Sequence, residues 1–516
     1  MNWKPNKKTA EEEFPTDREV VMSLALVKTR ATLGLEAPEV RVEVHLANGL
    51  PAFNLVGLPE AAVKESRDRV RSALLTAGFE FPSRRITVNL SPADLPKEGG
   101  RFDLPIALGI LAASGQITQS SLDAHEFIGE LALNGELRPV KGVLPTALAV
   151  ARKKGSLLLA AENAAEAALV SQLHVKAASH LLEISAFLLG QQELPLALPE
   201  LPETVSESSF PDLSAVKGQA GAKRALEVAA AGGHNLLLTG PPGSGKTLLA
   251  SCLPGLLPEL DEQEALEVAA IQSIRQGFQA SQWRQRPFRS PHHSSSAVAL
   301  VGGGSNPRPG EISLAHQGVL FMDELPEFQR RVLEVLREPL ESGKIHLARA
   351  AHRATYPANF LLVAAMNPCP CGHLGDPHQA CNCSPGQISR YQGRLSGPLL
   401  DRIDLHLEVP ALPPEDLWKP ASGESTVSVR GRVIKARQQQ KQRAAKLNSQ
   451  LTAAELENQV TLKLELKDLL SQAMRKMNLS ARAAHRVLKV ALTLADLEGS
   501  HRLERNHLLE ALGYRK

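Results

Sequence analysis

No stretch of this 516-residue chain approaches the roughly 18 apolar residues needed to cross a bilayer. Its start, "MNWKPNKKTAEEEFPTDREV", lacks the apolar centre of a signal peptide. A soluble, cytoplasmic protein with no membrane partner is therefore expected. Five cysteines in so long a chain are too few for a disulfide framework, and tight pairs in a reducing compartment point more often to metal. With 58 basic and 55 acidic residues the net charge is only +3, so no general field draws in nucleic acid, and such affinity has to come from local patches. At about 150 residues per domain, the length predicts roughly three domains.

Proline and charge mark the divisions. Residues 1–21 are polar and unpatterned and read as a disordered extension, of the kind that start-site choice adds. Alternation begins at Met22 with "MSLALVKTRA", opening an N-terminal domain over 22–200. The segment around Pro195, Pro199, Pro202 and Pro211 has little periodicity and predicts a linker at 201–212. A second break, "PALPPEDLWKPASGE", predicts a linker at 413–430, so that a central block spans 213–412 and a helical region 431–516.

The central block carries the chemistry. "NLLLTGPPGSGKTLLA" places an apolar run before G-x-x-x-x-G-K-T and helix formers after it, which is the strand-loop-helix setting of a phosphate-binding P-loop rather than of a mere glycine-rich turn. Gly240, Gly243 and Gly245 let backbone N–H groups turn onto phosphates, Lys246 neutralises the β/γ oxygens, and Thr247 ligates Mg²⁺. The expected ATP contacts are Gly240, Pro241, Pro242, Gly243, Ser244, Gly245, Lys246, Thr247 and Leu248. Further on, "GVLFMDEL" ends an apolar strand in Asp323, suited to the Mg²⁺ shell, and Glu324, suited to polarising a water. A solvated helix start is the plainer reading of that segment. "FLLVAAMNP" supplies a third buried strand ending in Asn367, a γ-phosphate sensor in this setting and an ordinary turn residue in another.

Hydrolysis also needs positive charge on the developing transition state. "GPLLDRIDLHLEV" offers Arg402 near the start of another strand, too far from its own nucleotide, so that it would serve a neighbouring subunit in a ring. "NLSARAAHRVLKVALTLADL" offers Arg482 at a helix N-terminal turn. A surface or ion-paired arginine is the bland alternative for each.

Two windows lack acid altogether. From Val268 to Gly310 there is no Asp or Glu, yet Arg275, Arg284, Arg286, Arg289 and Arg308 interleave with Phe278, Trp283 and Phe288. From Ser342 to Gly375 the same holds, with Lys344, Arg349 and Arg353 beside His346 and His352. Such loops suit a phosphate backbone tracked through a ring's pore, with Arg284, Arg286, Arg289, Lys344, Arg349 and Arg353 as expected DNA contacts; pairing with a neighbouring subunit's acids is the alternative. "RGRVIKARQQQKQRAAK" adds a predicted helix with a basic or simply solvated face.

The stretch "NPCPCGHLGDPHQACNC" holds Cys369 and Cys371 as one pair and Cys381 and Cys383 as another, with Gly and Pro between to reverse the chain. Four converging thiolates match a structural Zn²⁺ site. His373 or His378 replacing one ligand, and buried or redox-active thiols, stay open as alternatives; Cys252 reads as core.

Together these motifs resemble the AAA+ ATPases over 213–516, and within them the branch containing magnesium chelatase and the minichromosome maintenance helicases, marked by the two acid-free inserts. In that branch the "DRID" position matches the trans arginine finger and the "SAR" position sensor 2, which implies those roles for Arg402 and Arg482. Ahead of the core, about 120 residues including "PKEGGRFD" and "PVKGVL" resemble the proteolytic domain of Lon, with Arg101 and Leu144 where that family has its serine and lysine. A peptidase-inactive platform is implied, with Arg67, Arg69, Arg71, Arg84, Arg85 and Arg101 as candidate contacts. From residue 22 onward the chain closely resembles the ComM/YifB family. The resemblance implies an α/β AAA+ P-loop core with a C-terminal α-helical lid, preceded by an α+β Lon-protease-like (ribosomal protein S5 domain 2-like) domain. It further implies a homo-hexameric helicase using ATP, Mg²⁺ and Zn²⁺ on single-stranded, forked or branched DNA during uptake and recombination, alongside other recombination proteins. A magnesium-chelatase motor subunit and a protein-remodelling ATPase are the competing expectations.

Overall fold

The structure, a computed structural model, describes residues 24–57, 63, 65–200, 210–304, 307–348, 353–376, 379–413, 415, 423–460 and 462–515. The expected extension at 1–21, positions 201–209 of the first linker, and Arg349, His352 and His378 lie outside the described residues, as do 414 and 416–422 of the second linker. Internal contacts divide the chain into two units, one ending at Thr32 and resuming over Ala37–Val140 and Thr146–Leu198, the other made of Leu33–Glu36, Lys141–Pro145 and Pro199–Lys516.

The first unit is a mixed seven-stranded sheet, ordered Ala52–Val56, Arg85–Ser91, Glu39–Ala47, Leu24–Arg30, His125–Phe127, Ser156–Ala160 and His174–Ala178. Strict alternation in "LALVKTR" and "EVRVEVHLA" turns one face inward. Against that face lies Asp103–Ala113, "DLPIALGILAA", a helix apolar on nearly every side and buried along almost its whole length. Gly109 is what lets it come so close, because a Cβ there would lie 2.5 Å from Val44. Arg101 departs from its expected place among the surface arginines. It is 6 % exposed, its guanidinium donates to Thr146 Oγ1 at 3.3 Å, and burial pulls its pKa down to about 10. Arg69 is likewise engaged, by Asp103 at 2.7 Å.

The second unit is built on a five-stranded parallel sheet, in the order Phe288–Arg289, Val319–Met322, Leu361–Met366, Leu236–Thr239 and Leu405–Glu408. The middle strands, "VLFM", "LLVAAM" and "LLLT", are short continuous apolar runs, as strands covered on both faces must be. Helices Ala220–Gly232 and Lys246–Leu256 share a core with the C-terminal helices Thr426–Ala444 and Ala481–Glu498. The helix beginning at Thr426 takes in residues assigned above to the linker, because Ser425 caps it by accepting from Ser428 N. Nor is its basic face free. Arg432 pairs with Glu227, Arg443 with Asp496, Lys446 with Glu455 and Arg430 with Glu259, while Arg437 is buried. Among the described residues no helix is long and apolar enough to cross a membrane.

At the N-terminal edge of this sheet Asp404 is buried between Arg486, at 2.6 Å, and His234, at 3.5 Å. Burial alone pushes its carboxyl up, and the His234 and Arg486 contacts more than reverse that, holding it well below the usual carboxylate range. Its stabilisation is therefore present above the carboxylate's unfolded pKa and lost as pH falls toward the depressed folded value. Asp404→Asn leaves Arg486 and His234 without their anion, and should lower the unfolding free energy by about 3 kcal/mol, read from the denaturant midpoint at neutral pH.

Candidate active site

The turn after Leu236–Thr239 puts Gly243 and Gly245 at φ of +74° and +89°, a left-handed region that favours glycine, and delivers the chain into the helix Lys246–Leu256. Lys246 Nζ lies 2.8 Å from the carbonyls of Gly240 and Pro241 and 3.2 Å from Asn367 Oδ1. Burial pulls this ammonium below its ordinary range, and the charge of Asp323 opposes the shift. Thr247 Oγ1 donates to Asp323 Oδ2 at 2.9 Å. Three adjacent strands thus bring Lys246, Thr247, Asp323 and Asn367 together from positions far apart in the sequence. Ser244 Oγ, buried in the loop, has no hydrogen-bond partner among the described residues, and the Thr247–Asp323 donor set is hard oxygen, as Mg²⁺ requires. The loop therefore fits a magnesium–phosphate ligand. Beside it a cleft of about 350 Å³, lined by Gln219–Ala222, Glu408 and Pro410–Pro413, is joined to the loop by Gln219, which donates to Ser244 O at 3.5 Å and Pro410 O at 2.8 Å.

Glu324 stands just outside the cluster, with φ at +51° and its backbone N–H on Asp323 Oδ1 at 2.9 Å. Its carboxylate meets His293 Nδ1 at 3.0 Å, a partner that sequence reasoning misses; the doubled histidine in "SPHHSSS" is the only signal.

Arg402 and Arg482 are placed elsewhere. Arg402 is buried at the N-terminal edge of the sheet, where its guanidinium donates to Pro398 O at 2.6 Å and pairs with Glu341 of the same chain. Arg486 donates to the carbonyl of Arg402 at 3.1 Å, which brings the helix bearing Arg482 to that edge too. Arg482 itself is exposed. The phosphate loop follows the opposite ends of the same parallel strands.

The expected DNA contacts divide. Lys344–Ala348 and Arg353–Pro357 form an antiparallel hairpin whose alternation exposes Lys344, His346, Arg353 and Thr355 and buries Ile345, Ala354 and Tyr356. Arg284 is exposed, at φ +60°. Arg286 is a correction to the expectation, since it is buried and its guanidinium reaches Pro258 O at 2.5 Å, Gln317 O at 2.7 Å and Glu264 at 3.0 Å. Arg289 is held by Glu311 at 2.7 Å.

The four loop cysteines converge, with all their Sγ atoms within 4.8 Å of one another. Cys369, Cys371 and Cys381 lie 3.4–3.7 Å apart, close to the about 3.8 Å edge of a tetrahedron with Zn–S bonds of about 2.3 Å. All are free thiols. Backbone N–H groups of His373 and then Asn382 hold the Cys371 thiol below the usual range. His373 faces Asp376 at 3.2 Å instead. The loop also touches the phosphate site, because Gly372, at φ +88°, packs so closely that a Cβ would come 2.5 Å from Pro242.

Family models described as "Magnesium chelatase, subunit ChlI", "Subunit ChlI of Mg-chelatase" and "Magnesium chelatase, subunit ChlI C-terminal" match residues 212–417, 42–163 and 423–515. Competence protein ComM of Haemophilus influenzae is 54 % identical over 499 residues, covering 96 % of this chain and 98 % of that protein. Uncharacterized protein YifB of Salmonella typhimurium is 53 % identical over 496 residues, covering 96 % and 97 %. The chain belongs to the ComM/YifB family. The magnesium-chelatase 38 kDa subunit of Rhodobacter capsulatus is a more distant likeness of this ComM/YifB protein, 27 % identical over 229 residues and covering 40 % of this chain and 57 % of that subunit. Membership in this magnesium-chelatase-like AAA+ family carries ATPase activity, with ATP as substrate and Mg²⁺ as cofactor.

The Gly372–Pro242 contact gives this ComM/YifB member a testable weak point. Gly372→Val overpacks against Pro242 and forces an unfavourable φ, and should weaken nucleotide binding about tenfold, a cost of about 1.4 kcal/mol, while leaving helix content unchanged. Titration with a fluorescent ATP analogue beside far-ultraviolet circular dichroism checks this.

Proposed function

We propose that the chain is a subunit of a homo-hexameric, ATP-driven DNA motor that migrates branched recombination intermediates, such as those formed when a cell takes up DNA. The observation that carries the reading is the separation of Arg402 and Arg482 from Lys246, Thr247 and Asp323 across the length of the parallel strands. A subunit so built keeps Lys246 at its own nucleotide and turns Arg402 and Arg482 toward a neighbour's, an arrangement that closes naturally into a ring.

In this reading Lys246 and the loop N–H groups hold the β- and γ-phosphates of ATP, and Ser244 supplies a further hydroxyl. Thr247 and Asp323 would hold Mg²⁺, which would supply positive charge against the phosphate oxygens. Asn367 keeps the γ-phosphate in register, Glu324 accepts the proton of the attacking water, and the neighbour's Arg402 and Arg482 meet the charge that develops on transfer. The base lies in the cleft between Gln219 and Pro410. The exposed face of the hairpin, with Lys344 and Arg353, grips the phosphodiester backbone, and Arg284 adds to it; Arg349, outside the described residues, is assigned the same role. The four loop cysteines hold a structural Zn²⁺ that stiffens the segment between Asn367 and Arg402. The N-terminal domain is Lon-like without peptidase chemistry, since Arg101 and Leu144, which stand where that family has its serine and lysine, offer neither hydroxyl nor amine.

Near-complete coverage of ComM, against partial coverage of the chelatase subunit, favours this reading over a chelatase motor. Wild type and Glu324→Gln should both bind ATP and four-way DNA junctions, whereas only wild type should migrate them. Junction migration by Glu324→Gln would remove that residue from its role. DNA should raise wild-type ATP turnover several-fold, with affinity falling steeply as salt rises; turnover indifferent to DNA, or dependent on a porphyrin-binding partner or on unfolded protein, would overturn the reading. Purified protein should contain about one zinc per chain, and Cys381→Ser should lose it, as measured by atomic emission.

A further inference from the structure

On the side of the central sheet away from the phosphate loop, a cavity of about 630 Å³ opens within the second unit. Its floor is the starts of the strands, at Asn235, Gly318, Leu361 and Asp404. One wall is the segment Leu447–Thr452 with Arg486 and Lys489, and the other is the two roots of the hairpin, Pro339–Gly343 and Ala358–Phe360. None of it belongs to the nucleotide cluster.

The charges lining the cavity do not cancel. Arg286 is answered by Glu264, Arg486 by Asp404, and the lining Glu341 by Arg402. Arg437 and Lys489 remain. Arg437 is only 9 % exposed, and its Nε donates to Ala230 O at 2.8 Å, while its two terminal amino groups have no partner among the described residues. Among the described residues Lys489 Nζ donates only to Ser449 O, at 3.0 Å. Neither meets a carboxylate at ion-pairing distance among the described residues. Burial pulls Arg437 down to about 9 and lowers Lys489 as well, outweighing the opposing charges of Glu264 on the first and of Asp404 and Glu455 on the second, none of which comes within ion-pairing distance. A protein interior retains such a pair at a cost unless an anion answers it. The volume lies in the range of small-molecule sites and exceeds what bare phosphate fills.

We propose that this cavity is a second anion site, binding a phosphorylated small molecule of up to nucleotide size with its phosphate between Arg437 and Lys489. The occupant touches both hairpin roots and Glu341, the residue that holds Arg402, so its binding bears on the hairpin and on that arginine at once. The inference rests on the cavity alone and holds whether or not the motor acts on DNA.

The test uses the full chain with Lys246→Ala, which silences the phosphate loop, titrated calorimetrically with pyrophosphate at constant ionic strength. Saturable binding of one pyrophosphate per chain is expected. Lys489→Gln in that background should weaken it at least tenfold, Lys489→Arg should restore most of it, and Lys344→Gln on the hairpin face should leave it unchanged. Arg437→Gln should also weaken it; should that variant fail to fold, the Lys489 series decides. Competition by AMP identifies a nucleotide phosphate as the natural group, and competition by inorganic phosphate alone identifies free phosphate. Absence of saturable binding, indifference to Lys489→Gln, or equal loss with Lys344→Gln, which would place the anion on the hairpin's DNA face, overturns the proposal.

Discussion

The side chain of Asn235 staples three parallel strands at their starts. Its Oδ1 accepts from Leu362 N at 2.9 Å, its Nδ2 donates to Arg402 O at 3.2 Å, and its backbone N–H reaches Asp404 at 3.2 Å. Because a parallel strand has no tight turn to fix its register, a polar anchor at one end decides where the other end falls. The four-residue run Leu236–Thr239 then carries that register to the loop beyond it, and Leu361–Met366 carries it to Asn367. Gly240 N–H bonding to Met366 O at 3.1 Å is the visible result, with the glycine loop seated against the end of Leu361–Met366.

A register fixed in this way divides labour between the two edges of one small sheet. The C-terminal edge gathers Lys246, Thr247, Asp323 and Asn367, while the N-terminal edge gathers Arg402, Asp404 and Arg486. Strands of this length keep the two sets apart without any domain movement. The loop after Asn367 extends the first edge, since Gly372 rests on Pro242 and ties the four thiols to the same neighbourhood.

Much of this is legible in the sequence because some chemistry demands adjacent residues. The run from Gly240 to Thr247, the pair Asp323–Glu324 and the strand ending at Asn367 are written locally, and the structure brings them together with Glu324 just outside the cluster. Burial of a cation is not written locally. Arg286 lies in a window without acids and reads as free, yet its carboxylate, Glu264, stands 22 residues upstream, just outside that window. The basic helix Thr426–Ala444 misleads in the same way, because Glu227, Asp496 and Glu259 reach it from distant segments. His293 beside Glu324, the left-handed backbone of Glu324 and the Gly372–Pro242 contact depend on tertiary approach, and no spacing announces them. Arg101 in the first unit reads as a surface residue for want of any local sign that the apolar helix after it draws it inward.

The pairing of Arg402 with Glu341 inside one chain has an economic side. If Arg402 serves a neighbour, a stray protomer keeps that guanidinium occupied with its own carboxylate, and joining the ring means trading one anion for another rather than stripping water from a bare cation. Idle subunits would then waste little fuel, and assembly itself would act as the ignition.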